Sequence, residues 1–293
     1  MSHSVNKIRV IPRLDVKGRN VVKGVHLEGL RVMGAPEDFA AEYYASGADE
    51  IIYMDSVASL YGRNNLHDIV KKAAEKIFIP LTVGGGIRSI EDVQGLLKVG
   101  ADKVAINTAL FKDPELVTRV AERYGSQCMV VSIEAVKAES GRYQCLTDNG
   151  RESTGVDVIE WVDKVVELGA GEILLTSVDR EGTGTGFDLE LVKLIAERVT
   201  IPVVACGGAG KANHAIDAIR TGKADAISIA SMFHYDAVRK IELRKDISEG
   251  NRDFLMKSTS ATQHQLRSNI EAMSIRQLKR ILKDNHINTR ITD

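Results

Sequence analysis

Residues 79–111 read IPLTVGGGIRSIEDVQGLLKVGADKVAINTALF, and residues 201–233 read IPVVACGGAGKANHAIDAIRTGKADAISIASMF. Overlaid at an offset of 122, they keep one order: an apolar run opened by Ile-Pro, a glycine cluster, a helical pattern, a glycine and a second apolar run. Each is a strand–helix–strand unit. DEIIYMDSVAS (49–59) and GEILLTSVDRE (171–181) repeat at a similar offset. A repeat this long is not a solenoid unit; it reads as a duplicated half of one domain.

The same alternation extends outward through the chain. IRVIPRL, EIIYMD, IPLTVGG, KVAIN, CMVVSIE, EILLTS, IPVVACGG and AISIA are short runs, mostly rich in Val and Ile and apolar almost throughout. That pattern marks parallel strands covered on both faces, because a half-exposed strand alternates with period two. Between them lie segments such as EDFAAEYYASGADE and SIEDVQGLLKVGADK, with helical apolar spacing and a closing glycine. Eight strand–helix units predict an α/β fold, a (β/α)8 barrel. The expected organisation is a single barrel domain over 1–293, with half-barrels at about 7–125 and 126–293 and an insertion at about 236–273 before the last helix.

Composition narrows the function class. The chain has 293 residues, 44% hydrophobic and 27% charged, with net charge −1, so nothing favours nucleic acid or a membrane surface. No apolar run approaches the roughly 20 residues needed to span a bilayer. MSHSVNKIR lacks the apolar core of a signal peptide. Three cysteines without CxxC spacing suit a reducing cytoplasm. The seven histidines form no HxxxH or HExxH pattern, so neither a metal site nor a metal cofactor is expected.

Barrel chemistry lies at the C-terminal ends of the strands. RVIPRLDVKG (9–18) is apolar until Asp15, and VVSIEAVK (130–137) until Glu134. The repeat makes Asp15 and Glu134 counterparts that face each other across the mouth, a candidate catalytic pair. Capping or salt-bridging a loop is the plainer reading of each acid. VGGGIRS (83–89) and Asn107-Thr108 follow the third and fourth strands; CGGAG (206–210) and Ala230-Ser231 follow the seventh and eighth. Glycines let backbone N–H groups approach an anion, and a helix N-terminus adds a favourable dipole. Two such cradles predict a ligand with two phosphates. Arg9, Glu50, Lys103 and Glu172 each begin a strand, and charges on the floor of an apolar barrel need partners, so a ring of two bases and two acids is expected. Closing the barrel floor is a sufficient role for such a ring.

IPRLDVKG, VVKGVHLEGLR, PLTVGGGIRSIED, GADKVAINTA, RYGSQCMVV, GAGEILLTSVDREGT, CGGAGK and ASMFH together resemble the cyclase subunit of imidazole glycerol phosphate synthase, over about residues 7–234 and again at SIRQLKRILKDNHINTR (274–290). The resemblance implies a (β/α)8 barrel that receives ammonia from a glutaminase subunit docked at the barrel bottom. The ammonia passes up the barrel to react with the bisphosphorylated substrate PRFAR, giving imidazole glycerol phosphate and AICAR without a cofactor. It implies catalytic roles for Asp15, Glu134 and Lys23. Phosphate or substrate contacts are implied for Asp55, Gly86, Asn107, Thr108, Thr176, Gly207, Gly208, Ala230 and Ser231. Arg9, Glu50, Lys103 and Glu172 match a charged ring that ammonia crosses, and Asp102 with Gly125-Ser126-Gln127 matches the glutaminase face. No glutaminase Cys–His–Glu constellation is legible in this chain. Two carboxyls in different protonation states suit a ring closure that removes one proton and supplies another. Lys17 and Arg19 are expected to face solvent.

Three features depart from that pattern. Glu134 stands where the family has Asp, and a misplacement near 1 Å costs roughly a hundredfold in rate. Arg13, where the family usually has Cys, adds a phosphate- or carboxylate-binding group beside Asp15. The polar insertion contains ISEGNRDFLMKSTSATQHQLRSN, readable as a lid, an oligomer contact or a surface loop. These departures resemble a paralogous branch that makes acetamidino sugars of lipopolysaccharide or other surface polysaccharide, and the expectation leans that way. The cyclase of histidine biosynthesis is the alternative, supported by the two cradles. A non-catalytic scaffold for a glutaminase is a third reading.

Overall fold

The computed structural model describes residues 7–56, 66–241 and 269–290. In chain order the strands are β1 (Arg9–Lys17), β2 (Asn20–Val25), β3 (Glu28–Gly34), β4 (Ile51–Asp55), β5 (Leu81–Gly84), β6 (Lys103–Ile106), β7 (Met129–Lys137), β8 (Tyr143–Thr147), β9 (Glu152–Asp157), β10 (Glu172–Ser177), β11 (Val203–Cys206) and β12 (Ala226–Ile229). Eight run parallel in the order β1-β4-β5-β6-β7-β10-β11-β12, and β12 pairs back onto β1, closing the barrel. The predicted (β/α)8 architecture is the observed one, and the eight apolar runs are its eight barrel strands.

Alternation along each strand sorts the side chains into two sets. Val10, Leu14, Ile51, Tyr53, Val131, Ile133, Ile173 and Leu175 face the helices and form the main core. Ile11, Ile52, Met54, Ala105, Val130, Leu174, Val204, Cys206 and Ala226 form a separate apolar cluster inside the barrel. Both faces are dry, which is why the runs read as apolar throughout. Helices start where the sequence supplies a cap: the Ser89 side chain accepts from Asp92 N–H and Asp92 accepts from Ser89 N–H. Gly47 and Gly169, equivalent in the repeat, stand just past the ends of helices Pro36–Ala45 and Val158–Glu167 at φ 86° and 100°, a region that costs other residues energy.

Four strands lie outside that expectation. β2 and β3 extend β1 upward as an antiparallel hairpin, and β8 and β9 do the same for β7. Their sequences, such as ESTGVD, carry no continuous apolar run. The two excursions leave equivalent barrel strands, so the duplication reaches the mouth as well as the barrel. The insertion at 236–273 is narrower than expected. Residues 236–240 complete helix Ser231–Lys240. At the other end Ile270 is buried in the core and Glu271 N–H donates to Gly210 O at 2.8 Å. Residues 242–268, with most of the insertion, lie outside the described residues. Among those described, no helix is long and apolar enough to cross a membrane.

Candidate functional site

Arg13 and Asp15 are two residues apart on β1, so both point into the barrel. Arg13 is 2% exposed, and its Nε donates to Asp15 Oδ1 at 2.9 Å. Nη1 reaches Thr176 Oγ1 at 3.2 Å and Cys206 Sγ at 3.5 Å. Nη2 also lies 2.9 Å from Asp15 Oδ1, but at an angle that forms no hydrogen bond, so its donors are unused. Burial disfavours the guanidinium charge, but Asp15 above all, then Cys206 and Glu181, hold its pKa well above the ordinary value. Arg13 is therefore a fixed cation under the mouth.

Glu134 lies on β7 one residue before its buried part ends at Ala135, and is 6% exposed. Its Oε2 accepts the Gly150 N–H at 2.8 Å. Burial pushes its carboxyl up to about 7, against the pull of Arg13 and the Gly150 N–H and with help from Asp15. The two acids thus sit in one electrostatic field but in different settings: Asp15 is bonded to a guanidinium, Glu134 to a backbone amide.

The cradles flank them. A Cβ on Gly85 would lie 2.5 Å from Asp55 O, and one on Gly207 would lie 2.7 Å from Ser177 O. Both glycines have positive φ, at 99° and 93°, so the repeat makes the same close backbone approach twice. None of the hydrogen bonds among the described residues uses the backbone N–H of Gly85, Gly86, Gly207, Gly208, Ala230 or Ser231. The β5/β6 cradle opens into a cavity of about 690 Å³ lined by Asp55, Gly86, Asn107, Thr108 and Glu134. The β11/β12 cradle, lined by Arg13, Glu181, Gly207, Gly208, Ala230 and Ser231, encloses only about 10 Å³. Thr176 touches Arg13 and reaches this cradle through it. Asn107 and Thr108 also hold the second hairpin, through Asn107 Nδ2 to Leu146 O (3.1 Å) and Asp148 N–H to Thr108 Oγ1 (3.1 Å).

Lys23 is half-buried on β2. Its Nζ donates to Gly24 O at 3.3 Å and lies 5.7 Å from the centre of the Tyr235 ring. Lys17 and Arg19, expected in solvent, are exposed at the start of the same hairpin. At the opposite end of the barrel the four floor residues form a closed ring. Arg9 bonds Glu50 (2.8 Å) and Glu172; Lys103 bonds Glu50 (2.9 Å) and Glu172 (2.8 Å). Burial would raise Glu172, but Arg9 and then Lys103 hold it below the usual carboxylate range. Asp102, Ser126 and Gln127 are exposed on this floor side, where Asp102 Oδ2 accepts Leu81 N–H at 2.8 Å.

Three features of the mouth went unread in the sequence. Glu181 Oε2 stands 3.3 Å from where a Gly207 Cβ would be. The turn Asp148-Asn149-Gly150 supplies the Glu134 amide. His26 donates its N–H to Glu181 O at 2.9 Å, and its Nδ1 meets Val178 O at 2.8 Å. The Asp-Asn-Gly turn after an apolar run was a legible hairpin signal. Nothing local singles out Glu181 or His26 among the acids and histidines of the chain.

Comparison with known proteins shows the family of the chain. The family model described as histidine biosynthesis protein matches residues 9–239. A relative from Legionella pneumophila, imidazole glycerol phosphate synthase subunit HisF, is 62% identical over 207 residues, covering 71% of this chain and 98% of its own. Subunits of the same name are 51% identical in Bifidobacterium adolescentis and 48% identical in Streptomyces avermitilis, each covering 82% of this chain and 95% of its own. These names favour the histidine-pathway alternative; they lend no support to the lean towards acetamidino sugars. With the closed barrel, the duplicated halves and these matches, the chain belongs to the HisF family of histidine biosynthesis proteins.

Proposed function

We propose that the chain is the ammonia-using cyclase subunit of an imidazole glycerol phosphate synthase, working in the cytoplasm with a separate glutaminase and no cofactor. Asp15 and Glu134 at equivalent strand ends, bridged electrostatically by Arg13 and flanked by two glycine cradles, carry this reading. PRFAR has a phosphate at each end, and each cradle presents unused backbone N–H groups. Between them the reacting carbons lie over the two acids.

Ring closure needs one group that accepts a proton from the added amine and one that donates to the leaving group. Asp15, bonded to a guanidinium, serves as the carboxylate. Glu134, with its pKa near 7, holds a proton for part of the time at working pH and serves as donor and acceptor in turn. Lys23 sits on a hairpin beside the mouth, placed to reach a bound phosphate or developing charge. The floor ring is the entry for ammonia, and the face around Asp102, Ser126 and Gln127 is where the glutaminase docks.

The test is PRFAR turnover by the purified chain with ammonium salt at mildly alkaline pH, which bypasses the glutaminase. Turnover that disappears in Asp15→Asn supports the reading. Absence of turnover, with none gained in Glu134→Asp, overturns it and returns the question to acetamido sugar substrates. Activation of a glutaminase without product from any substrate would leave only the scaffold role.

A further inference from the structure

The two cradles share a backbone design but not a charge environment, and the difference is Glu181. Its half-buried carboxyl lies against Gly207, inside the β11/β12 cradle, and accepts no hydrogen bond among the described residues. The unused Nη2 of Arg13 lines the same cradle, from a side chain that is 2% exposed. A phosphate dianion entering here meets well-placed donors and a carboxylate at contact distance. Two adjacent anions do not both keep full charge; one proton between them turns repulsion into a short O–H···O hydrogen bond.

We propose that the β11/β12 cradle binds a phosphate monoester that shares one proton with Glu181, with Arg13 as the fixed cation beneath both. This rests on the reading of that cradle as a phosphate site and adds what selects its ligand. The other charged and titratable groups around Glu181 are already engaged. On β1, Asp15 is bonded to Arg13 Nε. On the β2–β3 hairpin, Lys23 is directed at Gly24 O and Tyr235, and His26 at Val178 O. On β11, Cys206 is in contact with Arg13. In its own loop, Arg180 Nη1 donates to Thr185 Oγ1 at 3.3 Å, and its Cβ abuts Gly208. None of these cations hydrogen-bonds the Glu181 carboxyl, so a proton is its available partner. Burial, above the attraction of Arg13, already raises its affinity for one.

Binding in this cradle is then linked to uptake of one proton. Above about pH 7 a phosphate monoester is a dianion, and its affinity falls by about tenfold per pH unit. The full-length chain, with its glycines labelled with carbon-13, is titrated with glycerol 3-phosphate between about pH 7.5 and pH 9, following the Cα signals of Gly207 and Gly208. Those of Gly85 and Gly86 report the other cradle in the same sample. The expected result is a tenfold loss per unit at Gly207 and Gly208 in the wild type. In Glu181→Gln that loss is abolished and binding at the alkaline end is tighter, while the response at Gly85 and Gly86 is unchanged. Glu181→Ala gives a second variant should the first fail to fold. A flat wild-type profile, a slope retained in the variants, or no shift of Gly207 and Gly208 at any pH overturns the proposal. The titration uses no PRFAR, so failure of the synthase reading shows itself separately as absent turnover.

Discussion

At the residue scale, the role of Glu134 is an electrostatic matter as well as one of reach. The side chain ends against the Gly150 amide in a dry setting, and its pKa rises to about 7. A carboxyl raised above its unfolded value contributes stability in full at low pH, and that contribution is lost as pH rises from about 4.5 through about 7. Glu134→Gln therefore makes the protein more stable than the wild type at pH 8, by about 1–3 kcal/mol, and the gain vanishes near pH 4. Urea denaturation at the two pH values checks both the sign and the window. Arg13 poses the opposite case. Arg13→Met leaves Asp15 without its guanidinium and opens space beside Thr176 and Cys206. Removing one partner of a buried pair costs about 3–5 kcal/mol, measurable in the same denaturation experiment. Arg13→Lys recovers only part, because a lysine cannot reproduce the forked contacts.

At the element scale, the two hairpins act on each other across the mouth. Asn149 Nδ2 donates to Leu27 O at 3.2 Å, and Leu27 packs with Leu146 and Val178 in a small cluster separate from the main core. His26 and Leu27 hold left-handed backbone, at φ 50° and 63°, to make that contact. This tip is held by those contacts and by the His26 bonds to Glu181 and Val178, apart from the main core, so it can open without the barrel. Leu27→Ser removes the apolar half of the latch. The expected outcome is faster amide exchange over residues 20–34 and 143–157, by about ten- to a hundredfold for about 1–3 kcal/mol lost, with protection of the barrel strands unchanged. Uniform loss of protection would instead show that the hairpins and barrel open as one unit. The sequence signals here were uneven. Asp-Asn-Gly at 148–150 announces a turn, but β2, β3 and β9 are polar or glycine-containing and are held by pairing to their neighbours, which no local pattern encodes.

At the scale of the whole molecule, the barrel interior is layered from floor to mouth. A charged ring of Arg9, Glu50, Lys103 and Glu172 is followed by an apolar collar that includes Ile11, Ile52, Val130, Leu174 and Val204, and then by the charged mouth. Each floor acid bridges both cations, so removing one acid leaves two partly buried charges under-compensated. Glu172→Gln is expected to cost about 3–5 kcal/mol, seen as a lower denaturation midpoint. If the ring also admits ammonia, the same variant changes glutamine-dependent turnover more than turnover with free ammonium; equal effects on both would confine the ring to a structural role.

The sequence by itself determined the barrel, its duplication and the identity of most mouth and floor residues. Those follow from local periodicity and from residues placed at strand ends, and a parallel strand buried on both faces advertises itself in its composition. Only the tertiary structure decided that Arg13 is clamped to Asp15, that Glu134 rests on an amide from the second hairpin, and that Glu181 occupies one cradle while the other stands open. Those facts depend on distances between elements far apart in the chain and on how much water each charge has lost. Both are properties of packing, which the order of residues along the chain does not display.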